Sequence, residues 1–277
     1  MAQAPDVPLS PTPIRRLFGY YGANSFQRNL QIVIDGEKVP SPGSATEVCY
    51  GGAGRIGCMF GMDRTKDQGE QIPSAAGLPP DVVVSPDVLR SVRVPPGQSR
   101  TKKWPVLDAS GAPQVDLAAW RFRIGGLVAT PREWNWEDFS KLPRRKVFAD
   151  FHCVTRWSRL GNLWEGVTTR ELLQRAGGPL AGARFVLVHG MDNGWTTNLP
   201  LEHFLAEDSL VAVLHDGEPI TPEHGGPARL IVPRLYAWKS AKWVAGVELM
   251  AEDRPGFWEA NGYHMRGDPW TQERHGW

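Results

Sequence analysis

Short apolar runs, each closed off by Gly, Pro or Asp, recur through the last two thirds of the chain. Rich in β-branched and aromatic residues, they predict strands over residues 120–128, 146–151, 184–189, 210–215, 228–233 and 243–250. Two helix signals fall between them. Thr168 followed by Glu171 makes a capping-box pattern ahead of Leu172 and Leu173, and Gly177-Gly178 supplies the stop. Pro200 introduces a second short helix over 201–206. No repeat of fixed period runs through the chain. Strands mixed with short helices in this way predict a mixed-sheet α+β domain.

The pattern changes near residue 92. Every Trp, from Trp104 on, and every His, from His152 on, lies after that point. Before it come Gly, Pro and Ser stretches such as Pro40-Ser41-Pro42-Gly43-Ser44, which favour turns over a packed core. A small hairpin is predicted there, with strand 30–34, a turn at Asp35-Gly36 and a return at Lys38-Val39. Residues 1–92 therefore read as an irregular N-terminal extension, partly ordered at best, and 93–277 as the domain. Gly52-Ala53-Gly54-Arg55-Ile56-Gly57 fits Gly-x-Gly-x-x-Gly, but no helix pattern follows, so a glycine-rich turn is the better reading than a nucleotide site.

Bulk properties narrow the function. A formal net charge of +1 gives no reason to expect nucleic acid or an anionic membrane as partner. No apolar run reaches the roughly 20 residues of a membrane span. Three cysteines, Cys49, Cys58 and Cys153, argue against a disulfide framework and fit a cytoplasmic protein. Arg15-Arg16-Leu17-Phe18 looks like a twin-arginine export signal, the alternative location, but the apolar segment that should follow is missing.

The residue with the most chemistry is Cys153, in Phe151-His152-Cys153-Val154-Thr155-Arg156-Trp157-Ser158. Arg156 can stabilise a thiolate, which makes Cys153 a candidate nucleophile or soft-metal ligand. A buried structural thiol, a zinc ligand with His152, His189 or His224, and a Cys–His hydrolase all remain open, although no paired Cys-x-x-Cys supports zinc. A second constellation runs through residues 223–233 and on through Trp238-Lys239-Ser240-Ala241-Lys242-Trp243. A glycine turn feeds a strand and then a loop bearing Ser240, with Arg229, Lys239 and Lys242 as fixed positive charge. That equipment suits a phosphate-bearing ligand, and equally a solvated basic loop. Near the C-terminus, residues 263–270 combine aromatic and polar groups. They suit the wall of a substrate funnel and a tail packed on the sheet alike.

These blocks together resemble the sulfite oxidase-like molybdopterin oxidoreductases. The resemblance rests on Val94-Pro95-Pro96-Gly97-Gln98, Thr101-Lys102-Lys103-Trp104-Pro105, the cysteine segment, Thr196-Thr197-Asn198-Leu199-Pro200, the His224-Gly225-Gly226-Pro227 stretch, the Trp238–Trp243 stretch and Asp253-Arg254-Pro255-Gly256-Phe257-Trp258. They follow the family's order from about residue 93 onward. The resemblance implies the sulfite oxidase molybdopterin-binding fold and two-electron oxygen-atom transfer on a small S–O or N–O substrate. It implies molybdenum held by the dithiolene of molybdopterin, in the mononucleotide form, and by the Cys153 sulfur. His189, Gly190, His224, Arg229, Ser240, Ala241 and Lys242 match cofactor-contacting positions, and Gln98 lies in a segment that crosses the cofactor. Arg156, with Arg159 as a second candidate, is expected to bind an anionic group. Trp195 stands where the sulfite oxidases carry a tyrosine, and indole cannot replace a phenol in proton transfer, so sulfite as the substrate is in doubt. A non-catalytic pterin-binding protein on the same fold is the alternative. No haem or dimerisation module is recognisable, so a separate electron-transfer partner and a monomeric state are expected.

Overall fold

A computed structural model of the chain describes residues 31–34, 37–39 and 72–276, apart from positions 110 and 193. The arginine pair at 15–16, Cys49, Cys58 and the glycine motif at 52–57 lie outside the described residues.

Among the described residues, two large mixed sheets, a small three-stranded sheet and four short α-helices build the fold. β1 (Gln31–Ile34) and β2 (Glu37–Val39) form the expected hairpin, which joins β5 (Val106–Asp108) in a small three-stranded sheet. The five-stranded sheet runs in the order β11 (Thr196–Pro200), β10 (Phe185–Gly190), β15 (Val244–Met250), β6 (Arg121–Gly126) and β7 (Arg132–Asn135). Only the β15–β6 pair in it is parallel. The seven-stranded sheet runs β13 (Glu218–Pro219), β12 (Leu210–His215), β9 (Trp157–Thr168), β8 (Arg145–His152) and β3 (Val83–Val84), with β14 (Arg229–Ile231) on β12 and β4 (Ser99–Arg100) on β9. The helices are α1 (Trp136–Ser140), α2 (Thr169–Arg175), α3 (Leu201–Phe204) and α4 (Phe257–Ala260). α2 starts where its capping box predicts, with the Thr168 side chain accepting from the Glu171 amide.

Strand alternation sorts the core into two faces. Val211, Val213 and Leu230 enter a large cluster with Phe122, Leu172, Val186 and Leu249, between the two large sheets. Their neighbours Leu210, Ala212 and Ile231 point the other way, into a second cluster with Val147, Ala149, Phe151, Trp157 and Trp164. Cys153 belongs to this second cluster. The face of the sheet opposite the main core therefore carries the site.

Residues 72–92 of the expected extension are fastened to the domain. Val82 and Val88 pack on Phe148, and β3 pairs with β8. Ser85 donates to Asp208 at 2.7 Å. Just beyond, Arg93 grips the buried carboxylate of Asp150 with two nitrogens, at 2.5 and 2.9 Å. The Pro, Ser and Gly residues around Val82-Val83-Val84 and Val88 read as a linker and concealed this.

Candidate active site around Cys153

Cys153 closes the β8–β9 hairpin. Its amide donates to Trp157 O at 2.9 Å and its carbonyl accepts from the Arg156 amide at 3.0 Å, so the sulfur sits in a tight turn. Arg156 takes the left-handed conformation, φ 74°, to complete that turn. Gln98 Nε2 donates to the Cys153 carbonyl at 3.0 Å. The thiol is 7% exposed and accepts from Thr155 Oγ1 at 3.1 Å. Burial pushes its pKa up, while Thr155, Arg274 and Lys242 pull it down.

The loop after β14 closes over this point. Arg229, 3% exposed, bridges two carbonyls, with Nη1 on His224 O at 2.6 Å and Nη2 on Ser240 O at 2.9 Å. Its guanidinium also lies over the rings of Phe151 and Trp104. Burial holds its pKa down to about 9, and the nearby sulfur works in the opposite sense. Ser240 Oγ accepts from the Val232 amide and Ala241 O from the Leu230 amide, which fixes the loop on the sheet. Lys242 donates to Glu223 O at 2.7 Å, and burial followed by Arg229 depresses its pKa to about 8. The imidazole of His224 stacks on Trp104.

Several sequence expectations change here. Lys239 does not contribute charge to the site. It is fully buried and donates to Glu259, to Met265 O and to both oxygens of Asn198. Gly225 and Gly226 do not open the backbone to a ligand. A Cβ at Gly225 would stand 2.8 Å from Lys242 Cβ, one at Gly226 1.9 Å from Ile220 O, and both amides are bonded within the turn. These glycines serve the packing of the loop itself. Arg159 turns away to Asp216, Asn162 and His215. The arginine that does approach is Arg274, whose Nη1 donates to Val154 O at 2.5 Å. Only tertiary geometry reveals it, since 120 residues separate the two.

Gln98, Arg156, His224, Arg229, Ser240, Ala241 and Lys242 thus gather around the Cys153 turn or its covering loop. His189, Gly190 and Trp195 lie on the neighbouring β10–β11 hairpin. His189 faces Glu248 at 3.8 Å, and Trp195 packs on Gly190 and the large core. That hairpin reaches the loop through the Met191 amide on Trp243 O and through the charge of Asp192 on Lys242.

Two other chemistries lose support. Among the described residues no group of three or more His, Cys, Asp and Glu is placed to hold a metal, against a zinc site. A Cys–His hydrolase needs an imidazole on the sulfur. His152 instead points its Nδ1 to Ser158 at 2.9 Å, on the opposite face of β8, and the thiol pKa is raised rather than lowered. What surrounds Cys153 is a set of buried polar atoms without hydrogen-bond partners: Gln98 Oε1, His224 Nδ1, Arg229 Nε, Tyr236 Oη, and Arg274 Nε and Nη2. Buried polar groups are nearly always paired, so a cluster of exceptions marks the place of a polar ligand.

Comparison with known proteins agrees with this chemistry. The chain is 49% identical over 189 residues to the uncharacterized oxidoreductase YuiH of Bacillus subtilis, covering 68% of this chain and 94% of that one. It is 27% identical over 157 residues to the catalytic subunit MsrP of a protein-methionine-sulfoxide reductase from Campylobacter jejuni, covering 51% and 52%. With sulfite oxidase of Arabidopsis thaliana it shares 27% over 187 residues, covering 55% and 48%. It spans about half the length of these last two relatives. In fold it resembles the crystal structure of the sulfane dehydrogenase SoxCD from Paracoccus pantotrophus, with a TM-score of 0.50 and 23% identity over 60% of this chain and 49% of that one. A family model, the oxidoreductase molybdopterin binding domain, matches residues 109–258, more than half of the chain, and the chain belongs to that family.

Proposed function

We propose that this protein is a molybdopterin-dependent oxidoreductase that moves an oxygen atom, with two electrons, to or from a small S–O or N–O substrate. The observation that carries the reading is the gathering of unpartnered buried donors and acceptors around one soft sulfur. The residues fit the cofactor. Thiolate is the protein ligand that suits molybdenum, and Gln98, His224 and Arg229 offer free hydrogen-bonding atoms to a pterin rich in both donors and acceptors. When bound, the cofactor supplies the redox chemistry; the protein supplies position and charge.

In this reading Cys153 is the molybdenum ligand, and the proton that burial holds on its sulfur leaves as the metal binds. Arg229 keeps the covering loop shut by clamping His224 to Ser240. Lys242 adds charge toward the cofactor's phosphate, of the mononucleotide form. Arg156 faces solvent at the sulfur's turn and attracts the polar end of the substrate. His189, Gly190 and Trp195 form the neighbouring wall. Electrons pass to or from a separate protein partner.

Elemental and pterin analysis of protein made in cells competent for cofactor synthesis tests this, with sulfite and sulfoxides screened against dye acceptors and donors. Near-stoichiometric molybdenum and turnover that Cys153→Ser abolishes are expected. Molybdenum with no turnover on any substrate points to a binding protein on the same fold, and molybdenum-free protein ends the proposal.

A further inference from the structure

Strand alternation gives β8 two faces. Cys153 lies with Val147, Ala149 and Phe151 on one; Phe148, Asp150 and His152 occupy the other, which residues 82–93 and Trp270 cover. That cover leaves apolar side chains in solvent. Leu89 is 73% exposed, Val92 65% and, nearby, Ile72 46%. Exposed apolar groups rimmed by charge mark a contact surface.

The charge is of one sign. Between Asp87 and Asp108 the chain carries Arg90, Arg93, Arg100, Lys102 and Lys103 and no carboxylate. Asp87 answers Arg90 and Asp150 answers Arg93, while Lys102 and Lys103 reach the surface. Pro73 joins the apolar and basic parts. Its carbonyl accepts from Arg93 Nη1, and its ring rests where a Cβ on Gly161 would stand. Pro73, Leu160, Gly161, Arg100, Lys102 and Arg159 line a groove of about 500 Å³.

Two short routes lead from this surface to the sulfur. At one end the Arg90 guanidinium lies 4.0 Å over the Trp270 ring, whose centroid is 6.2 Å from that of His152. At the other, β4 pairs with β9, the Thr101 amide donates to Ser158 O at 2.9 Å, and Ser158 Oγ meets His152 Nδ1 at 2.9 Å. His152 is joined through the chain to Cys153. Two strand spacings, about 10 Å, separate β4 from β8 there. Electron tunnelling falls off steeply with distance, and a carrier seated on this surface is close without entering the pocket.

We infer that the Ile72, Leu89 and Val92 patch, with its basic flank, is the docking surface for an acidic one-electron carrier protein. The inference rests on the proposed redox reaction for its purpose, and on exposure and charge for its place. Apolar residues at the centre fit a protein better than a nucleic acid, and the basic flank selects an acidic one. A substrate X and water give XO, two protons and two electrons. Two oxidised carriers take one electron each in turn; in the reductive direction two reduced carriers supply them.

Flavodoxin, a strongly acidic one-electron carrier, is the probe, and cytochrome c, a strongly basic one, is the control. Binding is measured by interferometry on the full chain as purified. Flavodoxin is expected to bind, with affinity falling by about tenfold or more between roughly 20 and 200 mM salt, and cytochrome c is not. Leu89→Asp and Val92→Asp put a repelling charge on the patch, and each is expected to weaken flavodoxin binding by about tenfold or more, as is Lys102→Glu. In stopped-flow mixing of reduced flavodoxin with loaded protein, the two aspartate variants slow the second-order electron transfer by about the same factor. They leave molybdenum content and turnover with a small dye unchanged. Both positions are exposed, so neither variant disturbs the core. Absence of flavodoxin binding, preference for cytochrome c or for duplex DNA, or an affinity unmoved by both aspartate variants overturns the inference. Molybdenum-free protein defeats the proposed reaction instead, and the binding measurements on that protein still decide the surface.

Discussion

The imidazole of His224 lies flat on the indole of Trp104, ring centroids 3.8 Å apart and planes within 7° of parallel. One ring comes from the lead-in segment and the other from the loop after β13, so the stack ties both covers of the site together. Burial, then Arg229 and Lys242, hold the His224 pKa down to about 3. The ring stays neutral at any assay pH, and its unpartnered Nδ1 remains available to a ligand. Trp104→Ala removes the platform and is expected to lower pterin content by about tenfold, the scale of a lost aromatic pair. Pterin fluorescence after oxidative release measures it. The pH–rate profile is expected to carry no inflection from His224 over roughly pH 5–8.

Acid should unfold the protein early. Burial depresses His152 and His215 to about 4 and His224 to about 3, against an unfolded value near 6.5. Below that value the unfolded chain binds protons that the folded chain refuses, so stability is complete above pH 6.5 and falls as pH drops toward 4. Each such group adds up to about 1.4 kcal/mol per pH unit to the slope, less for the two rings that keep some contact with solvent. Denaturant titrations at pH 7 and 5 are expected to show this loss with proton uptake on unfolding. A flat profile contradicts the buried neutral histidines.

Lys239 and Glu259 are both fully buried and bonded at 2.6 Å. Thr197 and Trp238 donate to the same carboxylate oxygen, which joins β11, α4 and the covering loop in one network. Lys239→Met strands the Glu259 charge and leaves Asn198 O and Met265 O without their donor. A loss of about 3–5 kcal/mol is expected. Glu259→Gln, which keeps an acceptor without the charge, is expected to fare little better, because it strands the lysine instead. Equilibrium denaturation of both variants checks this.

That network also shows where the sequence stopped being legible. Strand patterns and the Thr168–Glu171 capping box depend on neighbouring residues, and β12 and α2 appear where those patterns place them. β9 escaped, although it is the longest strand among the described residues, because Gly161, Asn162 and Gly166 interrupt its apolar alternation. Each has a local reason: Gly161 turns with φ 70°, Asn162 bonds Ala149 O, and a Cβ at Gly166 would strike Val211 O. At the site, Cys153 and Arg229 stood out through their sequence context. Arg274 had no such context, and Lys239 was misread because a buried lysine and a ligand-binding lysine look alike until the partner, 20 residues away, is placed.

The Cys153 thiol should be sluggish before the cofactor arrives and inert afterwards. Burial raises its pKa above the ordinary thiol value and leaves little thiolate at neutral pH. Cofactor-free protein is expected to react with iodoacetamide more slowly than free cysteine at pH 8, with a rate still climbing beyond pH 9. Loaded protein should not be labelled at Cys153 at all. Peptide mass spectrometry after timed alkylation measures both; fast labelling at pH 7 contradicts the buried, protonated thiol.

Arg229 offers the sharpest test of how the covering loop is held. Its planar fork spans two carbonyls, His224 O and Ser240 O, from one side chain, and a single ammonium cannot reproduce two divergent bonds. Arg229→Lys keeps the charge and loses the bridge. The loop should loosen, with amide exchange at residues 224–226 and 240–242 rising, and molybdenum retained per chain is expected to fall by about tenfold, since a lost charged hydrogen bond costs 1.5–3 kcal/mol. Arg229→Met removes the charge as well and should retain less still. If Arg229→Lys held the metal as well as the wild type, charge alone would account for the residue. The bridge between the two carbonyls would then be incidental to the site.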